Sequence, residues 1–351
     1  MSDLKSGIIR TPMPALKTFS DDPLRILRVI RFTTRYNYTI DPEIIDAVKT
    51  PGIKDAFTKK ITKERIGVEL EKMLITENPV SAIRILLEFG YYDAVFECPS
   101  SMKDYESPSI VLELSIILHS LIHKSSILQE WPTEKLGIIF PLDLELLKRM
   151  YLACCIKPFI GMYIKTDKSK KILLGKWIIQ NSIKLSNVDA DLSSTMVEMS
   201  TLIKEWVIRK TESTSTYRRE LGLFIRRLGN IKCLGDYWPF GILYSMILEI
   251  RQAITPKTIG DINWQDDKFS EIVFKYKTFM DGICGLSLEK VHREKHLLDG
   301  KTVSETLDLR PGPSIREHLD KVMAWQLEHP GSDANECLQW LLSQTNLKRK
   351  A

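Results

Sequence analysis

Apolar residues recur every three or four positions along most of this chain, the period of helices with one buried face. A helix opens at Asp21-Asp22-Pro23-Leu24 and runs on through Arg25, Arg28, Val29, Ile30, Arg31 and Phe32. Asp41 and Pro42 mark the next start, as cap and first residue of a helix through Ile44, Ile45 and Val48. Thr62 is placed to cap a helix whose apolar face is Ile66, Leu70, Met73 and Leu74. Asn78-Pro79 begins another, with Ile83, Leu86 and Leu87 inside. Further helices are predicted from Pro108 to Leu121, from Asp143 to Ala153, and over 178–185, 192–209, 218–228 and 240–252. Ile8-Ile9-Arg10-Thr11 is the one strand-like run, ahead of a loop punctuated by Pro12 and Pro14. Stretches 165–171 and 210–216, rich in Lys, Ser and Thr, read as loops.

Composition narrows the class. The 351 residues are enough for two or three domains, and 44% hydrophobic with 27% charged residues is ordinary for a packed globular chain. A net charge of +5 permits a polyanionic partner without requiring one. No apolar run reaches the roughly 18 residues of a membrane span; Val111 to Leu118 is interrupted by Glu113. Among six cysteines only Cys154 and Cys155 are close, so neither a zinc site nor a disulfide framework is indicated. This fits a reducing compartment. The pairs His119/His123 and His292/His296 have i, i+4 spacing but lack the Glu of a His-Glu-x-x-His motif. Asp189-Ala190-Asp191 follows Ser186-Asn187-Val188 without a Gly-rich loop or a β-branched strand, and reads as a helix-start cluster rather than a metal site.

The opening acids admit two accounts. Acids suit the positive end of a helix, and Pro23 suits its first turn. That leaves the arginines at 25, 28 and 31 unexplained. Asp22 and Arg25, three apart, offer a carboxylate acceptor beside a five-donor guanidinium, a pairing able to read the hydrogen-bonding edge of a nucleobase. Downstream, Arg65 and Glu69 have the spacing of a surface ion pair within one helix, or of two groups presented to neighbouring charges.

Three blocks in order carry a resemblance: Asp3-Leu4-Lys5-Ser6-Gly7-Ile8-Ile9-Arg10-Thr11-Pro12, then Asp21-Asp22-Pro23-Leu24-Arg25, then Ile61-Thr62-Lys63-Glu64-Arg65-Ile66-Gly67-Val68-Glu69-Leu70-Glu71-Lys72. They resemble motifs C, D and E of the class II tRNA nucleotidyltransferases, the CCA-adding enzymes, in their fungal form. Leu307-Asp308-Leu309-Arg310-Pro311-Gly312-Pro313 is similar to the family's Pro-Gly-Pro tail element. The resemblance implies an all-α neck, body and tail with a short β remnant of a nucleotidyltransferase head. The divisions it suggests are 1–21 for the remnant, 22–100 for the neck, 101–285 for the body and 286–351 for the tail. It implies an enzyme adding CMP, AMP or both to a tRNA 3′ end, with ATP and CTP as substrates and the tRNA acceptor arm as partner.

By the same resemblance Asp22 and Arg25 hydrogen-bond the incoming base. Asp21 and Arg28 hold their helix, Asp3 and Arg10 belong to a hinge between head and neck, and Arg65 and Glu69 brace the templating helix. The family usually has Glu where Asp21 stands. Arg218, Arg219, Arg226 and Arg227 are candidates for phosphate contacts. The family's catalytic Asp-x-Asp pair, Gly-rich loop and ribose-reading motif lie upstream of motif C, where this sequence begins, so the implied Mg²⁺ has no ligands here and no catalytic residue is assigned. These residues alone are expected not to incorporate nucleotides. A non-catalytic tRNA-binding remnant and a helical interaction scaffold stay open beside the enzyme, as do cytoplasm, nucleus and mitochondrion.

Overall fold

In a computed structural model of the chain, residues 6–348 are described, apart from 103, 124–125, 140, 166–170, 210–213, 232–233, 255–261, 265 and 311. Helix follows helix, as the periodicity predicts, and the described strands form two small two-stranded sheets. The chain divides into two compact units. The first comprises Met1–Glu130, Ile138–Trp206 and Phe240–Phe274; the second comprises Trp131–Gly137, Val207–Pro239 and Lys275–Ala351.

In the first unit, Pro23 decides the most consequential break. The residue before a proline is pushed out of the helical region, and Asp22 is accordingly extended, with φ −138° and ψ 94°. The helix predicted to open at Asp21 therefore starts at Arg25, as Arg25–Tyr36, and Asp21 instead ends a separate helix before it, Ala15–Asp21. The Asp22 N–H donates back to the Thr18 carbonyl at 3.2 Å, and the Asp22 carbonyl accepts the Arg25 N–H at 3.1 Å. Arg25–Tyr36 stops on Asn37, whose left-handed φ of 53° turns the chain into Thr39–Ile40. That short strand pairs in parallel with Ile8–Ile9. The next cap is as predicted, the Asp41 carboxylate accepting the Glu43 N–H at 3.0 Å. Thr62 stands at the N-cap of Lys63–Leu74 but makes no side-chain cap bond.

Arg25–Tyr36 buries Ile26, Leu27, Val29 and Ile30 and packs on Lys63–Leu74 and Pro79–Glu88. Lys63–Leu74 in turn lies hard against residue 183. A Cβ at position 67 would stand 1.9 Å from the Ile183 carbonyl oxygen, so only glycine fits there. Asp143 caps Leu144–Ile156 by accepting the Leu146 N–H at 2.9 Å. On this helix Lys148, its side chain 3% exposed, donates to Glu71 at 2.7 Å and Glu145 at 2.8 Å. Tyr92 and Tyr244 donate their hydroxyls to the Cys155 and Ala153 carbonyls at 2.7 and 3.0 Å, which satisfies the phenols while their rings fill the core. The antiparallel pair Tyr163–Lys165 and Lys171–Leu173 escapes sequence reading because three residues are too few to show alternation. The following helix, Leu174–Asn181, begins earlier than predicted.

In the second unit, Ser215–Asn230 packs along Pro313–Glu328. The contact is close at Gly222, where a Cβ would meet a Leu327 methyl at 2.8 Å. Leu298, Val303, Val322, Trp325, Cys337 and Leu341 form the core of the C-terminal helices. Of the Pro-Gly-Pro element, Gly312 and Pro313 are the cap and first residue of Pro313–Glu328, while Pro311 lies outside the described residues. His292 and His296 do not share a helix face, since the 3₁₀ turn Val291–Arg293 ends between them.

Candidate functional site

The start of Arg25–Tyr36 and the inner face of Lys63–Leu74 come together through two ion pairs. Arg31 is buried on the apolar face of its helix and donates to Glu69 at 2.7 Å, with side-chain exposures of 10% and 5%. Nearer the helix start, Arg65 donates to both oxygens of Asp22, at 3.4 and 3.1 Å. Asp22 also accepts the Leu24 N–H at 3.2 Å. Its carboxylate is thus fixed by one backbone donor and one guanidinium, with lone pairs left for a ligand. Arg65 and Glu69 therefore each reach across to another element, and the description of a simple i, i+4 surface pair does not hold.

Arg25 is exposed, and its guanidinium makes no bond among the described residues. A held acceptor beside a free five-donor fork is chemically able to take a group that both donates and accepts on one edge. Asp21 is the last residue of Ala15–Asp21, exposed, and makes no side-chain bond among the described residues. Arg28 is likewise exposed, its guanidinium 5.7 Å from the Phe32 ring centre. Arg10 lies at the end of the small sheet and donates to Asp41 at 2.7 Å; that hydrogen bond holds the Asp41 carboxyl below the usual aspartate range. Asp3 lies outside the described residues. Sequence reading did not single out Arg31 as a partner for Glu69. The available signal was a charge on the buried face of each of two neighbouring helices.

The four arginines of Ser215–Asn230 have different surroundings. Arg218 donates to the Leu327 carbonyl at 2.7 Å, and Arg226 to the carbonyls of Val291 and Glu294 at 2.9 and 2.6 Å. Arg219 pairs with Glu328 at 2.6 Å. Arg227 is exposed and makes no side-chain bond among the described residues. Asp189 and Asp191 do not fit a Mg²⁺ site. The Asp189 carboxylate is taken by Arg149 at 2.9 Å, Ser186 at 2.6 Å and Lys148 at 3.4 Å, and that of Asp191 by Lys176. Burial pushes Asp189 up, but these hydrogen bonds and cations hold it below its ordinary value.

Residues 37–102 match a family model described as the probable RNA and SrmB-binding site of polymerase A. Over 97% of its length the chain is 28% identical to a mitochondrial CCA tRNA nucleotidyltransferase of Saccharomyces cerevisiae, and 27% identical to a tRNA nucleotidyltransferase of Schizosaccharomyces pombe. Over nearly its whole length the chain is thus similar to fungal tRNA nucleotidyltransferases. It spans 63% and 64% of the length of those two proteins. Its fold is that of the CCA-adding enzymes. It aligns over 99% of its length with the Bacillus stearothermophilus enzyme solved in complex with CTP, at a TM-score of 0.54 and 17% identity, covering 68% of that chain. A CCA-adding enzyme solved with ATP aligns over 98% at a TM-score of 0.53 and 18% identity, covering 64% of that chain. Among the described residues, no helix is long and apolar enough to cross a membrane, and no cluster of three or more His, Cys, Asp or Glu residues is placed to hold a metal ion.

Proposed function

We propose that this chain carries the nucleotide-selecting and RNA-binding parts of a tRNA nucleotidyltransferase, which adds CMP, AMP or both to a tRNA 3′ end and releases pyrophosphate. The observation that carries the reading is the Asp22 carboxylate, held by Arg65 and the Leu24 N–H, three residues before the exposed Arg25, whose backbone N–H donates to the Asp22 carbonyl. In this reading Asp22 accepts from the exocyclic amine of cytosine or adenine while Arg25 donates to the ring acceptors. Arg65, Glu69 and Arg31 keep the helix start in place, and Asp21 and Arg28 flank it. Arg227 and Arg219 face the phosphates of the acceptor arm, with Arg218 and Arg226 setting the position of their helix. Mg²⁺, where the reaction uses it, is held by carboxylates other than Asp189 and Asp191.

The test grafts these residues onto a related head carrying the Asp-x-Asp pair and measures incorporation of all four nucleotides. A site whose polar groups match one substrate edge rejects a mismatch by orders of magnitude. Asp22→Ala and Arg25→Ala should each lower discrimination against UTP and GTP far more than they change tRNA affinity. Selectivity that survives both substitutions refutes the reading. Binding of a tRNA acceptor minihelix by the chain itself should weaken with salt, at a log–log slope of about 0.7–0.9 per neutralised phosphate.

A further inference from the structure

Beyond the base-reading end, the Arg25–Tyr36 helix has a second feature. Residues 25, 28, 32, 35 and 36 fall on one face by the 3.6-residue period. The rings of Phe32 and Tyr36 lie parallel on that face, 6.0 Å apart and inclined by 11°, and Tyr38 continues the row 5.7 Å from Tyr36. Tyr36 is 51% exposed although it is large and aromatic. Guanidinium groups accompany the first two rings: Arg31 is 4.2 Å and Arg28 5.7 Å from the Phe32 ring centre, and Arg35 is 5.7 Å from that of Tyr36. Beside the far end of the row lies a cavity of about 890 Å³ lined in part by Arg35, Lys72, Asn37 and Asn78.

Structural packing explains Arg31, which is tied to Glu69, but not Arg28 or Arg35, which are exposed, nor an exposed tyrosine stacked in a row. Flat apolar faces alternating with cations suit a partner that itself alternates flat faces with negative charge. Single-stranded nucleic acid is that partner: bases stack on rings, arginines take phosphates, and no particular base is required. Arg25 to Tyr36 spans about 16 Å at roughly 1.5 Å per residue, room for several stacked nucleotides.

We infer that the Phe32–Tyr36–Tyr38 row, edged by Arg28 and Arg35, is a stacking track for the unpaired 3′-terminal nucleotides of the RNA being extended. This rests on the RNA-binding reading above and adds a site for the single-stranded end, separate from contacts to the duplex arm. The alternative occupant of such a face is a protein partner, for which a preference for the extended RNA that depends on Tyr36 is not expected.

The full chain is titrated, by fluorescence anisotropy, against an acceptor minihelix with a short unpaired 3′ extension and against the same minihelix made blunt. The extended form should bind at least about fivefold more tightly, and Tyr36→Ala should weaken it by about five- to a hundredfold while leaving the blunt form unchanged. Tyr36→Trp should retain the preference, and Phe32→Ala should act as Tyr36→Ala does. Thermal melts accompany each variant, and because Tyr36 is half exposed its substitution keeps the test sound if Phe32→Ala unfolds. Equal binding of both RNAs by the unaltered chain, with no response to Tyr36→Ala, overturns the inference and leaves RNA binding intact. Failure of the unaltered chain to bind either RNA overturns both.

Discussion

Removing the Glu69 carboxylate should unfold Arg25–Tyr36 and Lys63–Leu74 far more readily than its size suggests. At 2.7 Å, with an effective dielectric near 20, its attraction for Arg31 comes to about 6 kcal/mol. Desolvating the two ions costs several kcal/mol each, so the pair as a whole contributes little over an apolar replacement. Breaking it is another matter, because Glu69→Ala leaves a guanidinium that is 10% exposed with no counter-charge. Such a loss costs about 3–5 kcal/mol. Here the lower end is expected, since Arg31 also lines the cavity of about 890 Å³, where water can reach it. The assay is hydrogen exchange of peptides from Arg25–Tyr36 and Lys63–Leu74, which reports these helices in a chain of two units. Protection should fall roughly a hundredfold in Glu69→Ala, and the double variant Arg31→Met with Glu69→Leu should recover most of it. A single-variant cost below about 1 kcal/mol, or a double variant worse than the single, would refute the argument that desolvation governs this pair.

Other expectations follow the same physics. Gly67→Ala should destabilise by about 1–3 kcal/mol in chemical denaturation because its Cβ would stand 1.9 Å from the Ile183 carbonyl oxygen. Helix propensity alone predicts the opposite sign, a gain of about 1 kcal/mol, so stabilisation would show that the approach relaxes freely. Asp189, held below its ordinary value by Ser186, Arg149 and Lys148 against its burial, contributes stability that is complete above the unfolded aspartate pKa of about 3.9. That contribution is lost as pH falls through the depressed folded value, so Asp189→Asn should flatten the acid limb of a stability–pH curve, and an unchanged limb would count against it. Asp22→Ala should cost only about 1 kcal/mol in a thermal melt, because its pair with Arg65 is part-exposed. A much larger loss would make Asp22 a structural residue.

The helical architecture was legible because burial on one face imposes a period on the order of apolar residues. Asp41, as a cap, and Asn78 and Asp143, as helix starts, were legible because each bonds the backbone within its own first turn. What depends on distant residues was not. Thr39–Ile40 is a strand only because Ile8–Ile9 lies beside it, and two residues carry no period. Glu69 has Arg65 four positions away as an apparent partner, yet pairs with Arg31, 38 residues distant, because both lie on buried faces. The arginines of Ser215–Asn230 read alike in sequence and differ in the fold, since carbonyls from 65 to 109 positions away claim Arg226 and Arg218.

The break at Asp22 links these observations to selectivity. Inside a continuous helix, Asp22 would lie one turn before Arg25 and follow its motions. Pro23 instead puts Asp22 in extended backbone, where its carboxylate turns to Arg65 and its carbonyl still receives the Arg25 N–H. Arg65 belongs to Lys63–Leu74, which Gly67 seats against residue 183 and Glu69 ties to Arg31. The position of the acceptor is thus referred to the packed interior, while the donor fork of Arg25 stands exposed at the surface. A base edge that needs both must bring Arg25 to a carboxylate that is already placed. Arg65→Ala should therefore blur discrimination among nucleotides while leaving the Asp22 and Arg25 side chains untouched. In the grafted enzyme that loss should be partial beside Asp22→Ala, and restored in part by Arg65→Lys, which keeps one charged donor. If Arg65→Ala discriminates as well as the unaltered chain, the carboxylate needs no second helix to hold it, and the bracing role falls to Arg31 and Glu69 alone.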